Sequence, residues 1–157
     1  MKLDEHRYEL TVRWTGNLGK GTSTYRGYSR DHDILIPGLP VLAGSADSTF
    51  HGDKNRFNPE QLLLSALAQC HMLSFLHIAV QRGVVVTSYE DNATGLMRLN
   101  RDGSGQFASV TLNPQVTVAD PAHVSGAEEL HKAANAVCFI ARSVNFPVLH
   151  APVTTAT

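Results

Sequence analysis

The 157 residues of this chain amount to about one domain's worth of sequence, and at 43% hydrophobic and 17% charged they are too apolar for a disordered tail. Thirteen Lys and Arg against fourteen Asp and Glu leave a formal net charge of −1, which excludes a general pull toward nucleic acid or an anionic membrane. A small neutral substrate fits that balance better.

The opening MKLDEHRYEL carries acids where an export signal needs a basic start and an apolar stretch, so the sequence predicts a cytoplasmic protein. Residues 8–14 alternate, with Tyr8, Leu10, Val12 and Trp14 on one face, and predict a first strand. Gly16, Gly19 and Gly21 mark a turn; they do not match a dinucleotide-binding fingerprint. Residues 22–36 predict a second strand ending irregularly at Pro37-Gly38, and 39–43 a short third. A helix then starts with Asn58 as N-cap, Pro59 at the first position and Gln61 closing a capping box, and should run to Arg82 before Gly83.

That helix is apolar nearly all round, which predicts enclosure on every side. Ser65, Gln69, His71, Ser74 and His77 interrupt it too often for a lipid-facing span. Residues 84–99 and 106–118 read as two strands of a hairpin. Ser125 and Glu128 suggest a second capping box, and Leu130, Ala133, Ala134, Val137, Ala141 and Val144 keep helical spacing until Asn145 and Pro147. Residues 148–154 predict a last strand. The order implies a mostly antiparallel α+β domain over residues 1–157, its helices packed on sheet.

Two cysteines are too few for a disulfide scaffold. Each falls in the middle of a predicted helix near its core-facing stripe, and three readings follow. Both can be small hydrophobes filling core, since free Cys is among the most buried residue types. The helices can cross with Cys70 near Cys138, so that one attacks and the other resolves. A metal site is the third, because His71 and His77 follow Cys70 and His131 precedes Cys138 by seven; yet no short zinc-type motif appears, and adjacent Cys70 and His71 point about 100° apart on a helix. Each of these histidines also reads as a polar tip finding a partner in the core.

The run Asn58-Pro59-Glu60-Gln61-Leu62-Leu63, followed by Ala66-Leu67-Ala68-Gln69-Cys70-His71-Met72, resembles the peroxidatic-cysteine segment of the OsmC/Ohr family (osmotically inducible protein C and organic hydroperoxide resistance protein). Ala133-Ala134-Asn135-Ala136-Val137-Cys138 is similar to its resolving-cysteine segment, and Trp14-Thr15-Gly16 with Gly19-Lys20-Gly21-Thr22 to its first hairpin. The resemblance implies an OsmC/Ohr-like fold: a mostly antiparallel sheet wrapped around two central helices, in an intertwined homodimer. It implies a thiol peroxidase that reduces organic hydroperoxides through a Cys70 sulfenic acid and a Cys70–Cys138 disulfide, with no metal and no cofactor, reset by a lipoyl or other small dithiol.

The family's site adds a glutamate, matched by Glu60, and an arginine. Neither family position for that arginine holds one here: residues 17–20 read Asn-Leu-Gly-Lys, and Thr49 stands before the NPE motif. Arg30 is the preferred substitute, on the expectation that an inward strand position holds it rigidly, and Arg56 is the runner-up. The proline that usually follows the second cysteine is Phe139. Ten residues along one straight helix separate Glu60 from Cys70 by about 15 Å and about 80°, so a shared site would draw Glu60 and its arginine from one subunit and the cysteines from the other. The competing class is a small-molecule-binding or structural α+β module with core cysteines. A hydrolase using Cys70 with His71 or His77 is a third, weakened by the lack of any triad motif.

Overall fold

The computed structural model describes residues 5–157, so the reading of the first residues as lacking an export signal falls partly outside it. The chain forms two compact units, one ending at Leu62 and the other running from Leu63 to Thr157.

The first unit is a three-stranded antiparallel meander of β1 (Thr11–Trp14), β2 (His32–Leu35) and β3 (Leu42–Gly44). Register is set by Thr11 opposite Leu35 and His32 opposite Gly44. The expected second strand is much shorter than residues 22–36. Thr22 to Arg30 winds through turns, where Ser23 N–H donates to Lys20 O and Gly27 N–H to Thr24 O, so local bonds take the groups a ladder needs. Gly16 is required by close approach: a Cβ there would lie 1.9 Å from Ser29 O, next to the Trp14 Nε1–H bond to that same oxygen.

The second unit carries most of the core. Helix α1 (Pro59–Gln81) starts as the sequence predicts: Gln61 N–H donates to Asn58 Oδ1 at 2.8 Å and Asn58 N–H to Gln61 Oε1 at 3.2 Å. Gly83 at φ +68° ends it in the left-handed region that favours glycine. By length and composition α1 could cross a membrane, but its stripe Leu67, His71, Phe75 and Ala79 is buried in protein, as in a core helix. Enclosure on every side is not what this chain alone provides, because Leu73 and Val80 on α1 stay exposed.

The two long strands expected after α1 each break in two. β4 (Val86–Asp91) and β5 (Thr94–Leu99) part at Asn92-Ala93; β6 (Gly105–Leu112) and β7 (Pro114–Val118) part at Asn113. Asp91 Oδ1 accepts Asn113 N–H, while Asn113 Nδ2 donates to Asn92 O and Thr111 O, which pins both breaks together. The last strand also divides, into β8 (Val148–His150) and β9 (Val153–Ala156). The outcome is two three-stranded sheets, β4-β7-β9 and β5-β6-β8, in which the hairpin pairs are antiparallel and β8 and β9 join in parallel.

Helix α2 (Ala127–Val137) departs from expectation at both ends. Its N-cap is Gly126 with no side-chain bond, so Ser125 and Glu128 form no capping box; a one-turn helix capped by Asp120 runs in from upstream, and Ala127 N–H is taken by Val124 O. At the other end the helix stops at Val137 rather than Val144, because Cys138 turns extended at φ −70°, ψ 109°. Residues 141–143 then make a separate short turn.

Two apolar clusters fill this unit. Phe75 and Ala79 of α1 meet Leu130 and Ala134 of α2 and Val116 and Val118 of β7; Leu67 of α1 meets Phe107, Val110 and Leu112 of β6. A fully buried Leu or Phe stabilises the fold by about 1.5–3 kcal/mol. One ridge of α1 thus enters both clusters, and His71 lies on that ridge between Leu67 and Phe75.

Candidate functional site

The second unit brings the two cysteines together. Cys70 is half-buried in the middle of α1, whereas Cys138 is fully buried as the C-cap of α2, not mid-helix as the spacing predicts. Both are free thiols. Burial, with the Cys70 thiol beside it, pushes the Cys138 thiol up to about 11. Backbone N–H groups of Ala141 and Ile140 beside Cys138 pull the other way without reversing it. Arg142 N–H donates to Cys138 O at 3.1 Å, so the turn after the helix fixes the cap. No sequence signal announces the Ile140 and Ala141 amides, since any residue but proline supplies them.

Glu60, Arg30 and Arg56 belong to the first unit. Glu60 occupies the first turn of α1, where a carboxylate complements the helix dipole, and its Oε2 is buried without a protein partner. Arg30 is not on a strand: it precedes β2 in a turn. There its guanidinium donates to Tyr28 O and Tyr25 O, both at 2.6 Å, and lies over the rings of Tyr25 and Tyr28 at 4.5 and 4.1 Å. Rigidity comes from carbonyls and aromatic faces rather than from a sheet. Arg56 is spent differently, with Nε 3.6 Å from Asp31 Oδ2 and Nη1 3.8 Å from Asp33 Oδ1.

Two of the three histidines singled out by sequence do find core partners. His71 Nε2 and His131 Nδ1 share a hydrogen bond of 3.1 Å, with the rings stacked at 14°. Phe75 stacks on His131 at 4.2 Å and His150 packs against His71 at 4.4 Å. Burial holds His71 down to about 3 and His131 to about 4, so both are neutral at pH 7. His150 is also lowered by burial, and Asp91 near it is raised by burial. His77, by contrast, bonds Gln81 on an exposed face. Among the described residues no three His, Cys, Asp or Glu side chains are placed to share a metal ion. A cleft of about 570 Å³ opens between α2 and β8–β9, lined among others by His131, Asn135 and His150, and neither cysteine lines it.

Comparison with known proteins adds three findings. A family model described as OsmC-like protein matches residues 51–150. An OsmC-like protein of unknown function from Vibrio cholerae is similar in structure at a TM-score of 0.85 and 29% identity, over 95% of this chain and 100% of that one. Organic hydroperoxide resistance proteins of Legionella pneumophila (17% identity, TM-score 0.69, 96% of this chain and 99% of that one) and Bacillus subtilis (18%, 0.65, 96% and 98%) share the fold. No curated protein sequence matches the chain.

Proposed function

The chain belongs to the OsmC-like protein family, and we propose that it is a thiol-dependent peroxidase that reduces organic hydroperoxides to alcohols. The observation that carries this reading is the unequal cysteine pair, one residue half-buried and the other fully buried beside it as a thiol. An attacking cysteine needs access, while a resolving cysteine needs only its partner. The names of the Legionella and Bacillus relatives supply the substrate class.

In this mechanism the Cys70 thiolate attacks one peroxide oxygen, the O–O bond breaks, and the departing alkoxide is protonated to the alcohol. Cys70 is left as a sulfenic acid. Cys138 then attacks Cys70 Sγ; its proton and the expelled hydroxide leave as water, and a disulfide forms. The two thiols are neighbours within one unit, so the bond closes between groups the fold already brings together. As a thiol held near 11, Cys138 does not compete for peroxide in the first step. A small or lipoyl dithiol restores both thiols by two exchanges and leaves as its own disulfide. Glu60 and Arg30 complete the proposed site, Arg30 as the cation that favours the thiolate; no metal or cofactor is invoked.

The same reading takes residues 1–157 as one working domain in a cytoplasmic homodimer, with no nucleic acid or membrane partner. Support for the dimer is the apolar surface this chain leaves uncovered: Val12 and Trp14 on β1, Tyr8 and Leu10 just before it, and Leu73 and Val80 on α1.

Thiol titration tests the proposal. One equivalent of cumene hydroperoxide should remove both free thiols from the wild type and release one equivalent of alcohol. Cys70→Ser should abolish turnover, whereas Cys138→Ser should still reduce one equivalent and stop at a trappable sulfenic acid. Thiols that persist with peroxide unconsumed would instead support the binding module with core cysteines.

A further inference from the structure

We propose that the buried His71–His131 hydrogen bond is a positioning brace, which holds α1 against α2 in the one setting where Cys138 reaches Cys70 once Cys70 is oxidised. The inference rests on the peroxidase reading above and adds two residues to it.

Disulfide closure tolerates little error, since the two Cα atoms must stand roughly 4.4–6.8 Å apart. Cys70 immediately precedes His71 on α1, and Cys138 caps the helix that carries His131. The remaining contact between these helices is apolar: Phe75 and Ala79 from α1, Leu130 and Ala134 from α2. Such packing is non-directional and by itself permits small slides. Among the described residues the imidazole pair is the only side-chain hydrogen bond joining α1 to α2, and a directional bond fixes what packing leaves loose.

Its energetics point the same way. Two imidazoles at 0% and 2% exposure have given up water, and they recover one bond between them. His71 Nδ1 and His131 Nε2 remain buried without protein partners. An apolar pair of similar shape would cost the fold less. The pair therefore makes better sense as a device for position than for stability. Phe75 stacked on His131 and His150 packed against His71 keep both rings from turning away.

Rapid-mixing kinetics separate the two chemical steps. Consumption of cumene hydroperoxide reports attack by Cys70, and intact mass after alkylation distinguishes sulfenic acid from disulfide. His131→Leu should slow disulfide formation by about tenfold or more while changing the peroxide step by less than about twofold. His131→Asn, whose amide stands where Nδ1 stood, and His71→Gln, whose amide reaches the place of Nε2, should recover most of the rate. The doubly apolar H71L/H131L keeps the packing and lacks the bond, so it should close as slowly as His131→Leu; closure at the wild-type rate would overturn the brace. A second arm uses glutathione disulfide. Cys70 attacks it and releases one glutathione, then Cys138 attacks Cys70 Sγ and releases the second, so closure is read without peroxide. If wild type consumes no hydroperoxide yet the second release is slowed in H71L/H131L, the peroxidase reading fails and the brace stands. Equal second-release rates in both proteins overturn the brace alone.

Discussion

The two compact units are built on opposite terms. In the second, Leu67, Phe75, Val110, Leu112 and Val118 are fully buried between α1, α2 and the two sheets. Among the described residues of the first, no large hydrophobic side chain reaches that state: Tyr8 is 92% exposed and Val12 60%, and the buried ones, Gly16, Gly44, Ser45 and Asn58, are small or polar. Its order comes from hydrogen bonds instead, such as Ser45 Oγ donating to Asp31 Oδ1 and accepting from Asp53 N–H. An alternating apolar face left largely to solvent, though Trp14 packs edge-on against Tyr28 of its own unit, has little core of its own. Its sequence is written for a core that another surface must complete, and the proposed occupant is a second copy of this chain.

The sharpest way to break that comparison is to divide the proposed site between subunits. If Glu60 of one copy serves the cysteines of the other, Glu60→Ala and Cys70→Ser chains are each inactive alone. Refolded together in equal amounts they pair at random, and half the dimers then carry one intact site of two. About a quarter of wild-type hydroperoxide turnover should return. No recovery after subunit exchange is verified by mass, or a cleanly monomeric active protein in sedimentation, would count against the shared site.

The second unit's core carries a weakness that the first unit's polar framework does not: its neutral histidines. Unfolded histidine titrates near 6.5, whereas His71 is held to about 3 and His131 to about 4 in the fold. Below pH ~6.5 the unfolded chain therefore binds protons that the native chain refuses, and stability falls as pH falls, levelling off below the folded values. The slope approaches about 1.4 kcal/mol per pH unit for each histidine, so several kcal/mol go between neutral pH and pH ~4, comparable with a small domain's whole stability. Asp91, raised by burial, offsets part of this at the acid end. Urea midpoints should drop steeply from pH 6.5 downward in wild type and less steeply in H71L/H131L. Parallel slopes for the two proteins would remove the histidines from the account.

What could be read in advance follows from how local each signal is. The start of α1 was legible because Asn58 and Gln61 satisfy each other's backbone N–H groups within one turn, and its end because Gly83 alone suits φ +68°. The end of α2 was not. Apolar spacing runs on to Val144, and Ile140, Ala141 and Val144 do pack against the core, but from a separate turn beyond an extended Cys138. Periodicity there records burial rather than helix. The strand breaks depend on Asp91 meeting Asn113, twenty-two residues away, which no short window contains. Likewise the Cys70–Cys138 contact was open to three readings on spacing alone, and only the family resemblance favoured pairing. His71 and His131 were visible as candidate polar tips, but nothing in sequence joined them to each other or to His150.

The smallest effect concerns which arginine of the first unit supports the thiolate. Arg56 lies between Asp31 and Asp33, so its charge is largely offset where it stands. Arg30 is held by two neutral carbonyls and two aromatic rings, which fix the guanidinium, and no carboxylate among the described residues pairs with it. A fixed cation is what favours a developing thiolate, because it needs no reorganisation when the anion forms. Arg30→Met should accordingly slow the peroxide step by about tenfold, equivalent to ~1.4 kcal/mol, while Arg56→Met leaves that step close to wild type. Rapid mixing makes the test specific: Arg30→Met should slow the peroxide step while disulfide closure keeps its wild-type rate. A slow Arg56→Met beside a normal Arg30→Met would transfer the role to Arg56, and the ion pairs with Asp31 and Asp33 would then be what aims it.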